Sequence, residues 1–461
     1  MITCPRWYIL LILPLLPLSQ SLDPKAYLQL DGCALQNVVK GILTNKEMLK
    51  RLAQSPSAMK TFGKKGSPVK GIKDIKVDSL NFTQISLSLL PGTGINMSVI
   101  NKIDISGKSF LGGRTEMKME VNIVTVTSLK TNESNCPQFT RDECQTNLIE
   151  VKANIPKGVL PSVMKNFLDK NLKTLLPRTL CPAVDCVLLS VNEKLCLKHI
   201  DFPFGKSGNL LYSVSSLLPA VTKEHMIIEL NIKVLHGEDI ISPPTTTSNV
   251  ADLPSFSGVT SLALTADFLG CSMMVLQQEG AFNLQASEMK LTEAGVMSLS
   301  KLGEIIPELS PAFQNYKLDI TVDQTPMVTL EPAKAILHLY STMEMRADLQ
   351  DILEQSLFVV NLHMNFRLQF SIDKTSLHCK LSLDRIFLSL NSSSVGQFEA
   401  QDLDEFILSV IHELYTHSVN GVLQAGVPLP DMVKLLDIDF TKGRIKAIKD
   451  LLVFSVNVCK Y

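Results

Sequence analysis

Three features of the 461-residue sequence predict an α+β fold built from two similar halves. Long stretches alternate apolar and polar residues with a period of two. Other stretches place apolar residues along one helical face, and one Pro/Ser/Thr-rich segment divides the chain. Alternation of that length signals antiparallel sheet with one wet and one buried face.

The alternation is clearest in "MKMEVNIVTV", where Met117, Met119, Val121 and Ile123 oppose Lys118, Glu120 and Asn122. It recurs in "NLHMNFRLQFSI", where Leu362, Met364, Phe366, Leu368, Phe370 and Ile372 alternate with polar partners. Further strands are expected at 84–90, 97–105, 226–235, 377–384 and 451–458. Helical faces are read from four segments. The first carries Leu35, Val38, Val39, Ile42 and Leu43, extending to Leu49 and Leu52. The second runs from Val159 through Phe167 to Leu175 and breaks at Pro177. A third starts at Pro182, as proline at a helix start allows, and runs through Val187 and Val191 to Leu195. The fourth holds Leu403, Phe406, Ile407, Val410, Ile411, Leu414, Val422 and Leu423 and stops in "NGVLQAGVPLP", whose Pro428 and Pro430 disfavour helix, with strands expected to resume near Lys434. The segment "HGEDIISPPTTTSNVADLPS", residues 236–255, is the expected linker between an amino-terminal unit, 22–235, and a carboxy-terminal unit, 256–461. No crisp internal sequence repeat accompanies the division.

Residues 1–21 combine Arg6, the apolar run "WYILLILPLLPL" and small Ser19 and Ser21, which predicts a cleaved secretory signal peptide. The run holds Pro14 and Pro17 and falls short of the roughly 20 residues a membrane-spanning helix needs. No later stretch is long and apolar enough, so no transmembrane segment is expected in the mature chain. Export makes the four Asn-x-Ser/Thr sequons, at Asn81, Asn96, Asn132 and Asn391, candidate glycan acceptors. It also makes the ten cysteines candidates for a few disulfides alongside free thiols.

A hydrophobic fraction of 45% with only 19% charged residues is high for an exported chain. It implies a large core or an apolar cavity. The net charge of −1 hides an asymmetry: residues 22–200 carry 25 Lys and Arg against 15 Asp and Glu, and residues 201–461 carry 18 against 30. The densest cationic run, Lys64, Lys65, Lys70, Lys73 and Lys76, is the candidate contact for an anionic headgroup or membrane surface.

Catalytic readings fail on spacing. "HELYTH", His412 to His417, approaches the zinc-protease pattern, but its i,i+5 histidines stand about 140° apart on an α-helix. "GTGINM", Gly92 to Met97, lacks the third glycine of a dinucleotide loop and reads as a turn between strands. Cys181 and Cys186 are too far apart for a C-x-x-C redox pair. One Trp and seven Tyr on a near-neutral chain give no basis for nucleic-acid binding. No enzyme, metal or cofactor is expected. What remains is an apolar surplus on helices and curved strands: packed core, or the wall of a lipid-sized pocket.

The segment Ser382–Pro430 resembles the carboxy-terminal barrel of the bactericidal/permeability-increasing protein (BPI) and lipopolysaccharide-binding protein family. The matching residues are Leu383-Asp384-Arg385, then Ser394-Val395-Gly396, then Asn420, Leu423, Gly426, Pro428, Leu429 and Pro430. "LLPGTGI", Leu89 to Ile95, "GKSFLGG", Gly107 to Gly113, and "LCPAVDCVLLSVN", Leu180 to Asn192, are similar to motifs of the B branch of BPI fold-containing proteins, relatives of the long PLUNC proteins. The resemblance implies two barrel-like units of long curved antiparallel strands with amphipathic helices, joined in a boomerang by a central antiparallel sheet. It also implies a disulfide between Cys144 and Cys181, with Cys136 and Cys186 as neighbouring alternatives; a Cys379–Cys459 pair is a further expectation between strands.

The function implied is a secreted lipid-binding protein, or one retained in the secretory pathway, holding phospholipid-like or other lipophilic molecules in one pocket per barrel. The expected walls are Leu35, Val38, Val39 and Ile42 on the first helix and Phe406, Ile407, Val410, Ile411 and Leu414 on the last. Lys64, Lys65 and Lys70 are the expected headgroup contacts. The alternatives are a lipopolysaccharide-binding innate-defence protein and a protein-interaction module with filled cores.

Overall fold

The computed structural model describes residues 23–45, 72–109, 114–154, 173–197, 201–243 except 216, 258–306 except 297 and 298, 309, 313–349, and 352–460 except 374. The expected signal peptide, most of the Val159–Leu175 helix and Lys64, Lys65 and Lys70 lie outside the described residues.

Strand pairing gives three sheets. The amino-terminal unit is a four-stranded antiparallel meander of β2 (Ile72–Leu90), β3 (Gly94–Ser109), β4 (Arg114–Thr131) and β5 (Pro137–Ala153). Two helices, α1 (Gly32–Thr44) and α2 (Lys173–Leu195), pack on its edge strands β2 and β5. The carboxy-terminal unit is a seven-stranded sheet: β12 (Leu284–Ser287), β13 (Phe313–Val322), β14 (Met327–Glu331), β15 (Lys334–Leu349), β16 (Ile352–Ile372), β17 (Ser376–Ser393) and β18 (Val427–Pro428). Three helices precede its long strands: α3 (Ala266–Gln278), α4 (Glu288–Glu293) and α5 (Leu299–Ile305). After β17 come α6 (Asp404–Val410), a π-helical turn (Ile411–Tyr415), α7 (Thr416–Leu423) and α8 (Asp431–Leu435).

The third sheet joins the units and draws on both ends of the chain. Its nine strands are β1 (Lys25–Asp31), β6 (Asp201–Phe204), β7 (Gly208–Val214), β8 (Ala220–Val221), β9 (His225–His236), β10 (Asp239–Ile241), β11 (Thr260–Thr265), β19 (Arg444–Ile448) and β20 (Leu451–Val456). The path β19-β20-β11-β1-β9-β7-β6 places the antiparallel β1:β11 pair at the middle. An approximate two-fold relation follows. Each half opens on a buried central strand that runs straight into a capped helix. Asp31 accepts from the Ala34 amide at 2.9 Å, and Thr265 accepts from the Phe268 amide at 3.3 Å. Such side-chain acceptors satisfy amides that a helix start otherwise leaves bare.

Three expectations change. Residues 239–241, inside the expected linker, form β10 against β9, because the alternation of β9 carries through the turn at Gly237. The helix expected to break at Pro177 and restart after Pro182 is continuous across both. Each interior proline costs about 3 kcal/mol, and burial of Leu180, Val184, Val187, Leu188, Val191 and Leu195 at roughly 1.5–3 kcal/mol apiece outweighs it. The chain also does not resume as strand near Lys434: Pro430 caps the short helix α8, and strand returns only at Arg444.

Candidate functional site

In the amino-terminal unit the apolar stripe of α1 turns inward: Leu35, Val38, Val39 and Ile42 are all buried. Between α1, α2 and the sheet the interior is almost filled, with a void of about 30 Å³ lined by Leu43, Met97, Val99, Ile123, Val184 and Val187. Outside this packed layer lies an open cleft of about 1280 Å³ between α1, the end of α2 and α8. Val38, Ile42, Phe202, Leu435 and Ile438 supply apolar surface, and Lys40, Lys434, Asn37, Glu193 and Asp437 supply polar groups. Lys194 spans the cleft, donating from Nζ to the Leu435 carbonyl at 2.5 Å. Of the residues expected to wall the amino pocket, the cleft takes Val38 and Ile42; Leu35 and Val39 pack in the core behind.

In the carboxy-terminal unit Phe406, Ile407, Val410 and Ile411 have no exposed surface and line none of the described cavities. Leu414 packs against the same core. Tyr415 explains how firmly this helix sits: its hydroxyl donates to the Phe282 carbonyl at 2.8 Å and its ring stacks on Phe366. The cavity of this unit, about 290 Å³, lies at the far end of the helix, between Met273 and Leu276 of α3, Leu377 and Cys379 of β17, and Val422 and Leu423 of α7. Its rim holds Lys206 and Glu279. Burial raises the Glu279 carboxyl, but the Lys206 and Ser207 amides and the Ser207 hydroxyl bond to it and leave it below its ordinary value. Burial pushes the Cys379 thiol up to about 12, so it presents an inert apolar surface.

The "NGVLQAGVPLP" exit builds this cavity. Gly426 sits at φ 75°, where a Cβ would meet the His378 ring at 2.8 Å, so only glycine fits. Val427 and Pro428 then pair with Leu377 and Ser376, and the Tyr212 hydroxyl donates to the Pro428 carbonyl at 2.7 Å. Asn420 clamps the adjoining strand: Oδ1 accepts from the Leu381 amide at 2.7 Å and Nδ2 donates to the Leu381 carbonyl at 3.1 Å. The amino-terminal unit repeats the device. Asn192 on α2 accepts from the Phe139 amide at 2.8 Å and donates to the Phe139 carbonyl at 3.0 Å. Both asparagines lie in the string Ser-Val-Asn-x-x-Leu, at 190–195 and 418–423. That short repeat is the signal that would have exposed the two-fold relation, and the sequence reading missed it.

Three disulfides join described residues: Cys33–Cys459, Cys136–Cys196 and Cys144–Cys181. The expected Cys379–Cys459 pair is not formed. Cys379 lies on β17 of the seven-stranded sheet, whereas the β20-β11-β1 order of the central sheet brings Cys459 beside Cys33 at the start of α1. Cys186 is exposed and unbonded. Asn81, Asn132 and Asn391 are exposed, whereas Asn96 is half-buried on β3 with its Oδ1 enclosed and unpartnered. His412 lies within a π-helical turn where an α-helix was expected, His417 lies on α7 just after it, and both are exposed. Among the described residues the one group of three metal-capable side chains is Asp31, Cys33 and Cys459, whose sulfurs are spent on each other.

The family models of the LBP / BPI / CETP family match this chain over residues 34–192 (N-terminal domain) and 217–459 (C-terminal domain). The chain is 32% identical to human BPI fold-containing family B member 6, over 90% of this chain and 91% of that one. It is 31% identical to human BPI fold-containing family B member 4, over 84% and 64% respectively. Among solved structures it is similar to lipopolysaccharide binding protein, with a TM-score of 0.58 at 17% identity, covering 94% of this chain and 98% of that one.

Proposed function

The chain belongs to the LBP / BPI / CETP family, and from that premise we propose that it is a secreted, glycosylated protein that binds phospholipid-like or other lipophilic molecules. The observation that carries this reading is the cleft beside α1. Its volume of about 1280 Å³ exceeds the ~300–1,000 Å³ of ordinary small-molecule sites, and apolar floor is combined with lysines at the rim. Acyl chains laid along Val38, Ile42 and Leu435 gain about 0.8 kcal/mol per buried CH₂ without a directional contact. Lys40 and Lys434 stand where an anionic headgroup would emerge, and Lys64, Lys65 and Lys70 remain proposed headgroup contacts. The carboxy-terminal cavity, at about 290 Å³, suits the end of a single chain. Glycans are proposed on Asn81, Asn132 and Asn391, with half-buried Asn96 the least accessible acceptor.

Mass spectrometry of an organic extract of the purified secreted protein tests the proposal. Co-purifying lipid is expected near one molecule per chain, falling several-fold in Leu435→Trp, which fills the cleft from a partly exposed position. Repeated absence of lipid leaves the filled-core interaction module as the better reading. Lipopolysaccharide binding is the second reading, favoured by the family and by the cationic rim. It predicts salt-sensitive capture of lipopolysaccharide that Lys40→Glu/Lys434→Glu weakens.

A further inference from the structure

The outer face of the seven-stranded sheet carries a row of rings set by strand register. Tyr340 on β15 lies opposite His363 on β16, which lies opposite Phe387 on β17. Ring centroids are 4.2 Å apart between Tyr340 and His363 and 5.5 Å apart between His363 and Phe387, both stacked. Phe387 is 54% exposed, an unusual position for a phenyl ring. A groove of about 390 Å³ follows this row, edged by Asp323, Gln324, Asn361 and Ser389. The strip sets exposed apolar ring surface beside carboxylate, amide and hydroxyl groups, which suits an occupant with a flat apolar face and a polar edge. A pyranose ring has that character.

The same strand supplies a source. Asn391 begins the sequon Asn391-Ser392-Ser393 and lies four residues beyond Phe387 on β17, about 13 Å at 3.3 Å per residue. It falls where the β16:β17 register shifts by one residue, and it is exposed. A glycan core on Asn391 therefore starts on the same strand as the ring row, within reach of its first few sugars. We propose that this groove is a saccharide-binding site whose resident is the N-linked glycan core of Asn391.

The test uses the full-length glycoprotein carrying high-mannose chains, digested in its folded state with an endoglycosidase that cuts between the two core N-acetylglucosamines. Site-resolved mass spectrometry then compares Asn391 with Asn132, an exposed turn position. Trimming at Asn391 is expected to be about tenfold slower, and Phe387→Ser to restore it to the Asn132 rate. The proposal is overturned by an unglycosylated Asn391, by equal rates in the native protein, or by a slow rate that Phe387→Ser leaves unmoved. Saturation-transfer NMR with N,N′-diacetylchitobiose separates the sources. Transfer to the disaccharide from Asn391→Gln but not from the glycosylated wild type supports the resident glycan. Equal transfer from both overturns residency in favour of an external saccharide, and transfer from neither overturns the saccharide assignment.

Discussion

The two units share one plan and hold their helices by different means. In each, an asparagine of a Ser-Val-Asn-x-x-Leu string clips both backbone groups of one residue on a neighbouring strand: Asn192 on Phe139, and Asn420 on Leu381. The amino-terminal unit adds two disulfides that bind α2 and the residue after it to β5 and the turn before it, Cys144–Cys181 and Cys136–Cys196. The carboxy-terminal helix, among the described residues, has no covalent tie and relies on the Tyr415–Phe282 hydrogen bond and a fully buried apolar stripe. Sheet size accounts for the difference. Four strands give a thinner core than seven, and a thin core needs cross-links where a thick one holds by burial. The stapled unit also supplies one wall of the large open cleft, and the Cys136–Cys196 bridge stands at that wall, where Cys196 lines it.

Removing the staples should therefore have the largest effect. The double variant Cys144→Ala/Cys181→Ala is expected to destabilise by about 2–5 kcal/mol, felt in the amino-terminal unit alone. Calorimetry should show one transition split in two; a single transition lowered as a whole would mean the units share stability through the central sheet. The asparagine clips come next. Asn420→Ala leaves a partly buried amide and carbonyl unpaired and should cost about 2–3 kcal/mol, whereas Asn192→Ala should cost about 1–2 kcal/mol because the disulfides keep the helix seated. Reduction of the disulfides should bring the two losses together, and denaturant titration of both variants with and without reductant measures that coupling.

A smaller effect separates the two capped helices. Asp267 occupies the second position of α3, where α1 has Cys33. Burial and then the nearby Asp450 raise its carboxyl to about 6. The folded state therefore binds a proton more tightly than the unfolded chain, so this contribution is present below about pH 4 and is lost as pH rises through 6. Asp267→Asn should gain about 1 kcal/mol at pH 7 and nothing at pH 4, after allowance for its partial exposure, in thermal melts at both values. Smallest of all, alkylation of the folded protein should label Cys186 while leaving Cys271 and Cys379 unlabelled, since burial pushes both of those thiols up to about 12. Peptide mass spectrometry reads this, and rapid labelling of Cys379 would mean that the carboxy-terminal cavity opens to solvent.

Much of this fold was legible because its strands are long. The alternation at Met117–Ile123 and Leu362–Ile372 marks β4 and β16 directly, and the stripe Leu35–Ile42 marks α1. What escaped was set by contacts remote in sequence. Pro177 and Pro182 read as breaks because local propensity ignores the sheet that buries the rest of α2. Cys33 and Cys459, 426 residues apart, become neighbours only through the order β20-β11-β1. The cavity positions were half-legible. An apolar helix face shows that a wall exists, but Phe406 and Val410 meet side chains alone while Val38 and Ile42, though largely buried, also reach the cleft that α8 borders. The Tyr340–His363–Phe387 row needed strand register, which alternation alone does not fix.

The place of β1 in the central sheet bears on how the protein is made. This strand emerges from the ribosome first among those described, yet one neighbour, β9, arrives some 200 residues later and the other, β11, later still. Until then the fully apolar face of Ala26, Leu28 and Leu30 has no partner, while the strands of the β2–β5 meander can already pair with one another. Synthesis thus yields a folded amino-terminal sheet trailing an unsatisfied strand, which places the chain's greatest exposure to aggregation, and its greatest need of a chaperone, in the middle of translation.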